Sequence, residues 1–246
     1  MADLPAASVT TSLERAVRRD RAVLLGLGLS ASAAFWALTV RMAGEMGCGP
    51  GAHPGLGHLF GMWAVMMAGM MIPPELPHLS RLARAQRERL GRSPLLAAGA
   101  CLAGYLLPWS AFSLAAAVLE ERLAAHGLLG HDLALTSRGL AAALLVAAGA
   151  VELSPLKRAC LDRPGEAAPL GGARAAALAG MVHATFSLGS CGLLMLVLFA
   201  TGVMNLLSMA VITALLIAEE VAPRSLRLPA AAGALLLGWG ALVLAG

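Results

Sequence analysis

Long apolar runs alternate with short polar segments along almost the whole chain, and this pattern predicts a succession of membrane-length helices. Gly57 to Pro77 carries no charge before Glu75, and Leu95 to Leu119 carries none at all. At ~1.5 Å rise per residue, roughly twenty such residues cross a ~30 Å hydrocarbon core. Val23 to Val40, Gly139 to Val151, Ala175 to Ala200, Met204 to Ala218 and Leu228 to the C-terminus follow the same rule, the 139 and 228 runs being short for it. The pattern predicts an all-α fold: a polytopic transmembrane helix bundle of seven spans, with residues 1–22 as a cytoplasmic N-terminal tail and residues 23–246 as one transmembrane helical domain.

Charge then orients the bundle. Arg81, Arg84, Arg87, Arg89 and Arg92 read as a short basic loop between the second and third runs. Basic residues resist translocation, so cytoplasmic segments collect them. With the N-terminus inside and the C-terminus outside, fifteen of the eighteen basic residues fall inside and only Arg41, Arg122 and Arg138 fall outside. If the 204 run did not cross, Arg224 and Arg227 would face out. The composition agrees, with 59% hydrophobic and 13% charged residues. A net charge of +4 and a pI near 9.3 then belong to one membrane face and to anionic lipid headgroups, not to nucleic acid. The first twenty residues lack the apolar core of a secretory signal, and Thr11 to Glu14 fits a helix-starting capping box. The expected location is a bacterial plasma (inner) membrane, multi-pass, and seventeen arginines against one lysine suit a GC-rich bacterial genome. No loop exceeds roughly twenty residues, so any chemistry lies within or at the edge of the bundle.

Sulfur is the most conspicuous chemistry there. Met62, Met66 and Met70 form one helical stripe, and Trp63, Met67 and Met71 form the adjacent one. Thioethers are soft ligands suited to Cu(I), and methionine is equally a flexible packing residue. Pro73, Pro74 and Pro77 remove backbone donors and predict a break or kink, whose freed carbonyls would line a polar site with Glu75 and His78. A carboxylate at the hydrocarbon edge is costly and marks a functional or paired role. Glu152 and Glu219-Glu220 end two other runs on the same side, so three carboxylates could converge on a cation or pair with Lys157 and the loop arginines. His183, Ser187 and Cys191 recur every fourth residue and share a face of the fifth run, where Gly180, Ala184, Gly189 and Gly192 keep the helix slim. Cys48, Cys101, Cys160 and Cys191 form no CxxC pair, and their distribution opposes a disulfide framework. Glu45, Cys48, His53 and His58 are a loose outside set.

Three stretches together resemble a family of bacterial integral membrane proteins predicted to bind metal, whose domain has no assigned function. They are Trp63 to Pro73, Ser154 to Leu161, and Gly180 to Met195 followed by Gly202 to Leu206. The resemblance implies metal handling, usually taken as copper, because the family pattern is richer in cysteine. This chain reads as a cysteine-depleted member: Ser187 and Ser190 stand where the family tends to have cysteine, Gly192 where it has tryptophan, and no second thiol follows Cys160. Glu152, a harder ligand, stands where relatives are expected to carry glutamine.

The leading expectation is a membrane protein that binds or hands on a transition metal, most plausibly copper, with other transition metals open. The candidate ligands are Met66, Met67, Met70, Met71, Glu75, His183, Cys191 and Met204. The lipid bilayer is the first partner, a membrane or periplasmic protein the second, and small-residue faces are compatible with an oligomer. Alternatives are a subunit of a membrane-embedded metal-dependent oxygenase or oxidase, a transporter, or a structural subunit that binds no metal. Six histidines, with only His183 well inside a run, oppose a multi-histidine centre within this chain and so oppose an enzyme.

Overall fold

The computed structural model describes residues 6–46, 55–90, 93–130, 132–161 and 172–245. In chain order these form α1 (Ala6–Met46), α2 (Leu56–Leu90), α3 (Leu95–Ala125), α4 (Arg138–Leu153), α5 (Pro155–Leu161), α6 (Ala173–Leu196), α7 (Leu198–Thr201), α8 (Leu206–Val221) and α9 (Leu228–Ala245), with a 3-10 turn at Arg224–Leu226. No named strand occurs among the described residues, so the all-α expectation holds. Each apolar run falls on a helix. Five stretches, Glu14–Gly44, Leu56–Arg89, Leu95–Ala125, Ala173–Thr201 and Leu228–Ala245, are long and apolar enough to cross a membrane. The remaining two runs form α4 and α8, of 16 residues each, or about 24 Å.

α2 is the centre of the bundle. Of its most apolar window 56% is buried, against 17% for α1 and for α9. α1 and α3 flank α2, α6 packs on α3, α8 also touches α2, and α4 carries α9. Small residues set the closest approaches. A Cβ on Gly104 of α3 would collide with the Ala177 carbonyl, and one on Gly180 of α6 with the Cys101 carbonyl, so these two helices meet backbone to backbone. Gly149 and Gly233 do the same for α4 and α9. Between α7 and α8, Gly202 takes a φ of +96°, a region that favours glycine. Asn205 then caps α8, its side-chain oxygen accepting from the Leu207 and Ser208 N–H groups at 3.1 Å each.

Several expectations change. The basic segment is not a loop: Arg81, Arg84, Arg87 and Arg89 lie on the last turns of α2, and Arg92 is outside the described residues. Their partners hold them there. Arg87 pairs with Asp20 of α1 at 2.6 Å, Arg84 with Glu88 at 2.7 Å, and Arg81 with Glu220 of α8 at 2.8 Å. Nor do Pro73, Pro74 and Pro77 end the helix, which is continuous through all three. Proline at 73 leaves the Gly69 carbonyl without its helical donor, and the Ser32 hydroxyl of α1 supplies one at 2.9 Å. Packing between α1 and α2 thus overrides the local breaker. Thr11 is not a helix start either, since α1 is already helical at Ala6, and the boundary drawn at residue 22 falls within that helix. The fifth run divides at Val197 into α6 and α7, and Met204 lies in the turn before α8.

Candidate metal centre

α2 places Glu75 and His78 three residues apart, one helical turn, on a common face. α3 brings Cys101 and Tyr105 against them, and α6 brings His183 and Ser187. The glycine contact described above explains the meeting of α3 and α6: where the Cys101 backbone arrives, α6 has no side chain at position 180.

Glu75 is 1% exposed, and its two oxygens serve two imidazoles. Oε1 lies 2.6 Å from His78 Nδ1 and Oε2 lies 3.0 Å from His183 Nε2. The rings stack at 4.3 Å between centroids with 17° between their planes. Tyr105 lies beside His183, ring centroids 5.8 Å apart, and its hydroxyl is 3.2 Å from Ser187 Oγ. A carboxylate oxygen of Glu75, a ring nitrogen of His78 and Cys101 Sγ lie within 4.8 Å of one another. Two ligand bonds of about 2.0–2.3 Å nearly span that separation. Thiol, imidazole and carboxylate form a soft-to-hard donor set that suits a transition metal such as copper or zinc and not the all-oxygen preference of magnesium or calcium.

The methionines adjoin this cluster as core. Met62, Met66, Met67, Met70 and Met71 are at most 1% exposed and share one buried cluster with Cys191, Met195 and Met209, against which the half-buried Met204 packs. Of the sequence-derived candidates, then, Met66, Met67, Met70, Met71, Cys191 and Met204 gather around one core. Glu75 and His183 meet at the edge of the bundle. Cys191 donates its S–H to the Ser187 carbonyl at 3.0 Å; it sits in the methionine core and not in the Glu75–His78–Cys101 grouping. Cys101, with Tyr105, is the residue that sequence reasoning passed over. The usable signal was a cysteine and the chain's single tyrosine spaced four apart on one run.

The three carboxylates do not converge. Glu152 of α4 and Glu219 of α8 both close on Lys157 of α5, at 2.5 and 2.8 Å, and all three side chains are at most 3% exposed. Burial works against the Lys157 ammonium, but Glu219 and Glu152 outweigh it and raise its pKa. The pairing expectation is therefore the one realised for Glu152 and Glu219, and through Arg81 for Glu220. Cys101, Cys160 and Cys191 are free thiols. Cys48 and His53 of the outside set lie outside the described residues.

The bundle thus combines a sulfur-rich core with a buried carboxylate–imidazole–thiol grouping at one end, a set of donors that could hold a metal ion. The chain matches the copper chaperone family PpoB2 over residues 60–243 and belongs to that family. The match runs from within α2 into α9 and includes Glu75, His78, Cys101, His183 and the methionines of α2. No curated protein and no solved structure matches the chain.

Proposed function

We propose that this protein is an integral inner-membrane copper chaperone which holds copper at Glu75, His78 and Cys101 and hands it on through the methionine core. The convergence of those three ligand atoms within 4.8 Å, next to fully buried methionines, carries the reading. His183 orients Glu75 from the other side and is itself 39% exposed at its side chain, which makes it the imidazole an arriving ion meets first. Met66, Met67, Met70, Met71, Cys191 and Met204 are the soft ligands of the interior. The serines at 187 and 190, in place of cysteine, shift the burden onto thioethers and Cys101. A membrane or periplasmic protein is the recipient.

Seven spans, with the N-terminus inside and the C-terminus outside, is the topology we assign. The asymmetry of the arginines supports it, as do the leucines on outward faces: Leu96, Leu207, Leu235 and Leu242 are each more than 70% exposed, which lipid tolerates and water does not. In this topology Glu75 lies at the cytoplasmic edge. α4 and α8 cross as short spans, for which local thinning or flanking polar residues compensate.

The test is copper stoichiometry. Protein purified in detergent is loaded with Cu(I) under reductant and its bound metal measured by elemental analysis, beside His78→Ala/Cys101→Ala and His183→Ala/Cys191→Ala/Met70→Leu variants. The expected result is stoichiometric copper that both variants lose. Equal copper in all three would remove the metal from this site, and no copper in any of them would favour a structural subunit.

A further inference from the structure

We infer that α2 carries copper along its length, between the Glu75 cluster and a second carboxylate, Glu120, at the opposite end of the bundle. The inference rests on the copper-binding reading above and adds to it a passage across the membrane.

Two buried carboxylates mark the ends of one stripe. Trp63, Met67, Met71 and Glu75 follow one another every fourth residue on α2, and Met62, Met66 and Met70 run beside them. Trp63 and these methionines are all at most 1% exposed. At the Trp63 end, the indole N–H donates to Glu120 Oε2 of α3 at 2.6 Å. Glu120 is 2% exposed, and among the described residues no cation pairs with it. Glu120 thus stands at the end of the methionine stripe with an indole as its partner, whereas Glu152 and Glu219 are neutralised by Lys157. Phe199 of α7, at 5.3 Å between centroids, and Phe112 of α3, at 6.4 Å, pack against Trp63.

The spacing suits transfer by ligand exchange. Successive members of the stripe are about 6 Å apart along the axis, and Trp63 to Glu75 covers about 18 Å of a ~30 Å core. Thioethers on unbranched side chains can rotate toward either neighbour. A Cu(I) ion leaving Cys101 and His78 would meet Met71, then Met67, with Met70 and Met66 alongside, and reach Glu120 at the N–H edge of Trp63. No step changes the oxidation state, and no water-filled pore is required.

The experiment uses the full chain in liposomes that enclose a membrane-impermeant Cu(I) chelator with a coloured complex, with Cu(I) and reductant added outside. Bound copper per chain is measured on the same preparations in detergent. The expected result is lumenal colour for the wild type above empty liposomes, reduced about tenfold or more by Glu120→Gln and by Met67→Leu/Met71→Leu, while Glu120→Gln retains the copper affinity that His78→Ala lowers. Glutamine keeps an acceptor for Trp63, and leucine keeps core volume, so unchanged melting temperatures separate this result from misfolding. Wild-type protein that binds copper yet colours no lumen overturns the passage and leaves the chaperone reading intact. Flux unaffected by Glu120→Gln removes Glu120 as its end, and no bound copper at all overturns both readings.

Discussion

Two buried acidic clusters lie in this bundle, and their partners set them apart. Around Glu75 the neighbours are two imidazoles and a thiol, groups that own lone pairs and can turn them toward a metal. Glu152 and Glu219 face an ammonium, which has donors and no lone pair. The same type of side chain, equally removed from solvent, thus stands among lone-pair donors in one place and forms half of an ion pair in the other. Burial of a carboxylate is by itself no sign of a metal site; the chemistry of what answers it decides.

The sharpest way to break this contrast is to remove the cation. Lys157→Ala leaves two carboxylates facing each other in the interior, and loss of one partner from a buried ion pair costs about 3–5 kcal/mol. Thermal unfolding in detergent should show this as a large drop, while protein that remains folded keeps its copper. Lys157→Met combined with Glu152→Gln and Glu219→Gln should recover most of the loss, since apolar or neutral replacement of a whole buried cluster is often close to neutral. Failure of the triple variant to recover would mean that the charges do more than balance each other.

Gly180→Ala strikes the other region through its backbone. The new Cβ meets the Cys101 carbonyl, so α3 and α6 must separate, at about 1–3 kcal/mol for overpacking. Because Cys101 moves with that carbonyl, copper affinity should fall together with stability. Gly233→Ala at the α4–α9 contact should destabilise comparably, since its Cβ would stand 2.9 Å from the Gly149 carbonyl, but it should leave copper affinity alone. Equal copper affinity in the two variants would deny that the α3–α6 approach positions the ligand.

A smaller effect is expected from His78→Ala, which removes one ligand and one partner of Glu75. Copper affinity should decrease by about 10–100-fold, or about 1.4–2.8 kcal/mol, measured by competition with a Cu(I) chelator. His183 still answers Glu75, so the fold should change little. The same substitution at Lys157 would change the fold and spare the copper, and this reversal is the contrast between the two clusters in measurable form.

The sequence carried the helices and the soft chemistry because both are local. Apolar runs and four-residue spacing are properties of one segment, and the methionine stripes, Glu75 and His183 could be read in that way. His78, one turn along α2, is a local partner of Glu75, but the rest is not local: Glu75 could have joined Glu152 and Glu219, and only α6, packed on α3, brings His183 to it. Cys101 was overlooked for the same reason, a thiol in an otherwise featureless run until α6 closes over it. The arginine segment, read as a loop, and the three prolines, read as a break or kink, differ from this: the helix is continuous through the prolines and through Arg89. There the local signal was real, and contacts with α1 and α8 overrode it.

That override gives the last and smallest prediction. Pro73 deprives the Gly69 carbonyl of its helical donor, and the Ser32 hydroxyl replaces it from α1 at 2.9 Å in a buried position. Ser32→Ala removes the donor without adding bulk, and an unmet buried carbonyl should cost about 1 kcal/mol, the low end for such a loss, read as a modest fall in melting temperature. Ser32→Thr keeps the hydroxyl and should recover most of it. Gly69 stands six residues before Glu75 on α2, so copper affinity should be untouched if the ligand cluster is held by α3 and α6. A matching loss of copper in Ser32→Ala would instead make α1 part of what aims Glu75, and the proline segment would then be tuned by two helices and not by α3 and α6 alone.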